Sequence, residues 1–125
     1  MRQPIVYVDV SHVREGRLGE LETAMNGLSR SVEANMPRVL SYGFFLDASR
    51  TTMTVVAVHP DSVSLEFHLD EGNEEFRKLA DLIELSRIDV YGSVSNGVLD
   101  CLHRKAQMLG RGSVVIHDFH AGFAR

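Results

Sequence analysis

The sequence is poor in the features that announce most functions. It has no tryptophan and a single cysteine, Cys101, so no disulfide can form within it. Its start, MRQPIVYVDV, has one arginine followed by a strand-like run, unlike a secretory leader. A lone thiol behind such a start predicts a cytoplasmic protein. No apolar run approaches the roughly 18 residues that span a bilayer, so no membrane partner is expected. Basic clusters are missing too: the net charge is −4, and the 13 Lys and Arg residues are scattered. Pairs such as Arg77–Lys78 and Arg104–Lys105 read as solvated helix faces, so no nucleic-acid groove is expected. Gly110-Arg111-Gly112 lacks the spacing of a phosphate loop, and there is no G-x-S-x-G elbow and no internal repeat.

What is present is an ordinary globular composition. The 125 residues are 44% hydrophobic and 24% charged, enough for one core, and residues 1–125 read as a single domain. Ile5 to Val13 alternates as a strand, with Val6, Val8, Val10 and His12 on one face and Ile5, Tyr7, Asp9, Ser11 and Val13 on the other. The first face is the greasier, which places it against the core. Leu18, Leu21, Met25, Leu28 and Val32 form a helical stripe that Pro37 ends. Residues 39–46 and 51–59 read as a hairpin. Asp61 or Ser62 can cap a helix from about Val63, interrupted near 70–72 and continued with Phe76, Leu79 and Ile83 on one side. Residues 87–95 alternate again. Ser95 or Asn96 can cap a further helix carrying Val98, Leu102, Ala106 and Leu109, and 113–123 reads as a last strand.

The order β-α-β-β-α-β, followed by an extra α-β, predicts an α+β fold of ferredoxin-like type. Its antiparallel sheet has helices on one face and an additional C-terminal helix and strand. The second sheet face keeps apolar bulk, expected from Ile5, Tyr7, Tyr91 and one of two sets on the second strand (Leu40, Tyr42 and Phe44, or Val39 and Phe45). A patch of that size is uncommon on a monomer. A homodimer through the sheet face is therefore expected.

Three stretches, YVDVSHVREGRLGELETAM, MPRVLSYGFFLD and MTVVAVHPDSVSLEFHL, together resemble the antibiotic biosynthesis monooxygenase-like family of the dimeric α/β-barrel superfamily. The resemblance covers about Ile5 to Leu85. It rests on the Arg14-Glu15-Gly16 turn into an amphipathic helix, on Leu40-Ser41-Tyr42, and on His68 in the second helix. The chain departs from the pattern at Arg38, where a glycine is usual, and at His59, where an aromatic residue usually closes the third strand. The resemblance implies a dimeric barrel and a cofactor-free oxygenase acting on a small aromatic or quinol-type ligand. It implies no haem: the position of the haem-degrading branch's iron ligand falls near Leu79 or Ala80.

Asp9 and His68 are the candidate catalytic residues. A strand carboxylate beside Tyr7 and Tyr91 would be partly desolvated if a dimer closed over it, and could then deprotonate a phenol. The alternative is a solvated Asp9 bonded to Ser11 or a neighbouring strand. An imidazole titrates near neutrality and could orient or deprotonate a substrate hydroxyl, or simply tie its helix to a carbonyl. Tyr7, Tyr42, His59 and Tyr91 are candidates for binding an aromatic ligand, with packing as the plainer fate of each. His117 and His120, three apart in an expected strand, would point to opposite faces, so no metal is expected. Three functions remain open: a cofactor-independent oxygenase, a non-catalytic binding or structural homodimer, and a lyase or isomerase using an acid–base pair. Fold alone does not separate them.

Overall fold

The computed structural model describes residues 3–125. Strand β1 (Ile5–Val13) leads through a turn at Gly16, whose φ is 77°, into helix α1 (Leu18–Asn35). The stripe Leu21, Met25, Leu28 and Val32 is buried, as the spacing predicted. The hairpin β2 (Ser41–Leu46) and β3 (Thr52–His59) follows. Asp61 caps α2 (Ser62–Glu71) by accepting from the Ser64 amide at 2.9 Å. After Gly72 come a short α3 (Asn73–Arg77) and a 3₁₀ turn at Lys78–Asp81. Then come β4 (Ile83–Tyr91), α4 (Asn96–Leu109), capped by the Ser95 hydroxyl, and β5 (Gly110–His117).

The sheet order is β2-β3-β1-β4-β5. The first four strands pair antiparallel and β5 joins β4 in parallel through the α4 crossover. The helices share one core with one sheet face, in which Leu21, Leu65, Phe76, Val98 and Leu102 meet Tyr7, Val55, Ile88 and Val90. This is the ferredoxin-like α+β arrangement with an extra helix and strand.

Three local expectations are corrected. The face of β1 turned to the helices is Ile5, Tyr7, Asp9, Ser11 and Val13, while Val6, Val8 and Val10 lie on the open face. The polar set goes inside because α4 brings it a charged partner, described below. Second, β4 begins four residues earlier than expected, and Ile83 belongs to it rather than to the helix. The Leu82 amide closes the 3₁₀ turn onto the Leu79 carbonyl, and pairing with β1 then jumps from Ser11–Leu85 to Val10–Arg87. Ser86 is the extra residue of a bulge, so the inward set changes parity from Ile83 and Leu85 to Ile88 and Val90. Alternation counted from Ile88 alone misses that start. Third, the last strand is 110–117, not 113–123, which leaves His120 outside it.

The β4–β5 junction depends on two glycines. A Cβ on Gly110, at φ 157°, would sit 2.8 Å from the Leu85 carbonyl oxygen, and one on Gly112 would sit 3.0 Å from the same atom. Gly110→Ala should lower stability by about 2 kcal/mol, whereas Gly19→Ala, in a helix with nothing within 4 Å of the added carbon, should raise it by about 0.5 kcal/mol. Urea unfolding midpoints of the two variants check both signs.

Candidate functional site

Residues two apart on a strand share a face, so Tyr7, Asp9 and Ser11 present a phenol, a carboxylate and a hydroxyl in a row toward the helices. Asp9 and Ser11 are buried, and so is Lys105, which descends from α4. The Tyr7 hydroxyl donates to Asp9 Oδ2 at 2.5 Å; Lys105 Nζ donates to the same oxygen at 3.3 Å and to the Tyr7 hydroxyl at 2.7 Å. The ammonium also lies 3.9 Å from the centre of the Phe76 ring. Buried ions persist when paired and hydrogen-bonded, and this one has a carboxylate, a hydroxyl and a ring face. Burial pushes the Lys105 pKa down and that of Tyr7 well up, the nearby Asp9 carboxylate adding to the Tyr7 shift.

Beside this network stands a wall of rings. His68 from α2 is 5.4 Å from both Tyr42 and His59 and 5.5 Å from Phe76, between ring centres. Its Nδ1 lies 3.0 Å from Met36 Sδ. A thioether has no proton to give, so Nδ1 must carry the hydrogen of the neutral ring and Nε2 the lone pair. His59 Nδ1 is 2.9 Å from the Ser64 hydroxyl. Burial holds both histidines neutral, with pKa values pushed down to about 4 for His59 and about 3 for His68, the latter also by Lys105 and His59. The Tyr42 hydroxyl is raised, chiefly by burial and then by Asp9.

Two buried polar atoms in this region have no hydrogen-bond partner among the described residues: Ser11 Oγ and His59 Nε2. Such atoms cost about 1–3 kcal/mol each, so a region that keeps them is suited to taking up a polar guest. The space bounded by Asp9, Ser11, Tyr42, His68, Phe76 and Lys105 is about 10 Å³, about the room one water needs.

The fold thus brings five of the six expected residues together: Tyr7, Asp9, Tyr42, His59 and His68. They lie between sheet and helices, not in a cleft on the open sheet face, because β1 is turned over relative to expectation. Tyr91 is separate. It is 44% exposed on the open face and stacks on His117 at 4.4 Å. There Asp89 pairs with Arg87 at 2.5 Å and with His117 at 2.8 Å. Sequence reasoning missed Lys105 by placing it on a solvated face. The signal was available: Lys105 stands three residues after Leu102 and seven after Val98, on the stripe that is buried. Among the described residues no three His, Cys, Asp or Glu side chains are grouped to hold a metal ion. No helix there is long and apolar enough to cross a membrane.

The buried histidines couple stability to pH. Their folded pKa values lie below the unfolded value of about 6.5, so on acidification the unfolded chain takes up protons first. Stability is complete above about pH 7 and is lost as pH falls toward 4. Between pH 6 and 5 the pair should cost roughly 2 kcal/mol. In urea titrations at those two pH values, either single His→Gln variant should halve that difference.

No protein-family model matches the chain, and neither does any curated protein. Solved structures do match. MupZ from Pseudomonas fluorescens superposes with a TM-score of 0.76 at 18% identity, over 98% of this chain and 95% of its own. A "putative antibiotic biosynthesis monooxygenase" from Deinococcus radiodurans gives 0.61 at 11% identity, over 73% and 93%. Rv0793 from Mycobacterium tuberculosis gives 0.64 at 10%, over 75% and 98%. A match over 98% takes in α4 and β5, hence the Lys105 position; one over 73% is too short to take in everything from β1 to β5. At these identities the likeness is one of fold. The chain has the ferredoxin-like fold of the antibiotic biosynthesis monooxygenase-like structures.

Proposed function

We propose that the chain is a cofactor-independent, monooxygenase-like protein that binds a small aromatic or quinol-type substrate between sheet and helices, with Asp9 as base and His68 as its polar partner. One observation carries this reading: a carboxylate, a phenol and an ammonium are hydrogen-bonded together in the core, beside two neutral histidines and a hydroxyl without a partner. Both side-chain hydrogen bonds to Asp9 fall on Oδ2, which leaves Oδ1 to take a proton. A phenol or enol deprotonated there becomes an electron-rich anion beside the Lys105 ammonium, which favours the charge. For an anthrone-like substrate the reaction balances without a cofactor. The reacting methylene carbon gives up two hydrogens and gains one oxygen atom of O2, and the other oxygen leaves as water. His68 Nε2 and Tyr42 would orient the ring and its hydroxyl.

The reading includes a cytoplasmic homodimer. The support for the dimer is the open sheet face, where Val6, Val8 and Val10 of β1 lie beside Val56 and Val58 of β3. Phe45, 58% exposed, and Tyr91 complete the patch. A second copy of the same face would cover it. Val8→Lys should split the dimer, read as a halved mass by sedimentation equilibrium.

The tightness of the core favours a second reading, a non-catalytic binding or structural homodimer, since about 10 Å³ admits no aromatic ring. Oxygen uptake separates the two. Purified protein free of metal and flavin is given hydroquinones and anthrone-like phenols, alongside Asp9→Asn and Tyr7→Phe of verified fold. Uptake by the wild type, falling at least a hundredfold in Asp9→Asn, is the expected result. No uptake across the panel favours the non-catalytic dimer.

A further inference from the structure

The polar cluster is closed, yet an apolar groove of about 240 Å³ opens on the surface one side chain away. Its walls are Met36, Pro37 and Val39, from the α1–β2 connection, and Val63 and Phe67 from the first turns of α2. Val63 is 67% exposed and Phe67 49%, so two large apolar side chains face solvent along it. The Arg38 guanidinium pairs with the Asp61 carboxylate, which ties the α1–β2 connection to the start of α2. Two groove-lining residues are the ones that touch the buried histidines. Met36 Sδ sits 3.0 Å from His68 Nδ1, and the Ser64 hydroxyl lies 2.9 Å from His59 Nδ1. Met36 also borders the depression on its other side, which reaches Tyr42.

We infer that this groove binds the apolar tail of the substrate and that Met36 is the gate between it and the polar cluster. The inference rests on the acid–base reading of the Asp9 cluster and adds a substrate class: a phenolic or enolic head with an alkyl or similarly apolar tail. Three observations lead there. The cluster alone has room for about one water, so any substrate must displace a side chain on its way in. Met36 is unbranched, with three rotatable bonds, and its contact with His68 is a weak sulfur hydrogen bond, so it costs less to move than the surrounding rings. Moving it joins the groove to His68 and Tyr42.

The probe is a series of 4-alkylphenols from methyl to octyl, titrated into the dimer carrying ¹³C-methyl methionine. The Met36 methyl resonance is assigned from Met36→Leu. The expected result is a shift of the Met36 signal on binding and an affinity that rises roughly threefold to fourfold per methylene, levelling off when the groove is full. Phe67→Asp and Val63→Asp, both at exposed positions, should flatten that rise. Affinity independent of tail length overturns the groove while leaving the Asp9 reading standing. A tail-length rise that survives both substitutions places the tail elsewhere, such as the wider groove beside Leu69 and Met108, and overturns it as well. If phenol heads add nothing over 1-octanol but octanol moves the Met36 signal, the groove stands and the acid–base reading falls. If neither compound moves the signal, the gate is refuted.

Discussion

A charge placed in a protein core must find its counter-charge there, and in this molecule that requirement joins the two layers. Lys105 comes from α4, and Asp9 with Tyr7 comes from the central strand β1. The three groups satisfy one another only when β1 turns its polar face inward and α4 lies over it. Removing one partner would leave an uncompensated ion, at about 3–5 kcal/mol. The orientation of β1 then decides which side of each neighbouring strand is inside, since pairing carries the alternation across the sheet. Met53, Val55, Ala57 and His59 on β3 follow, as do Tyr42 and Phe44 on β2.

The same choice shapes the candidate site. With β1 turned this way, the carboxylate faces His68, Tyr42 and Phe76 instead of a second subunit. The site is thus assembled within one chain, between sheet and helices, and the valines are displaced to the open face. There they form an apolar surface that a partner copy would cover. The polar cluster and the apolar open face lie on opposite sides of one strand, and a one-residue slip of β1 would exchange them.

The C-terminal extension is part of this economy of positions. In a fold ending at β4 no α4 would exist to deliver Lys105. The extension is held by close backbone contact at the Ser86 bulge, where Gly110 and Gly112 let β5 approach Leu85. The bulge also resets the parity of β4, so that Ile88 and Val90 stay in the core beneath α4.

The sequence by itself determined the element order, because helical stripes such as Leu21, Met25, Leu28 and Val32 and the alternation of the strands are local periodicities. It also placed the caps Asp61 and Ser95 among two choices each, and named five residues that do converge: Tyr7, Asp9, Tyr42, His59 and His68. Tyr91 was grouped with Tyr7 and Asp9 because all three were expected on the open sheet face; Tyr91 does lie there, and the odd positions of β1 do not. The facing of β1 was beyond local reading. Hydrophobic content favoured burying Val6, Val8 and Val10, whereas the face that is buried joins Ile5, Tyr7 and Val13 to an Asp9 whose counter-charge comes from a lysine 96 residues away. Periodicity is written in neighbouring residues, whereas the partner of a buried charge is chosen by the packing of distant ones.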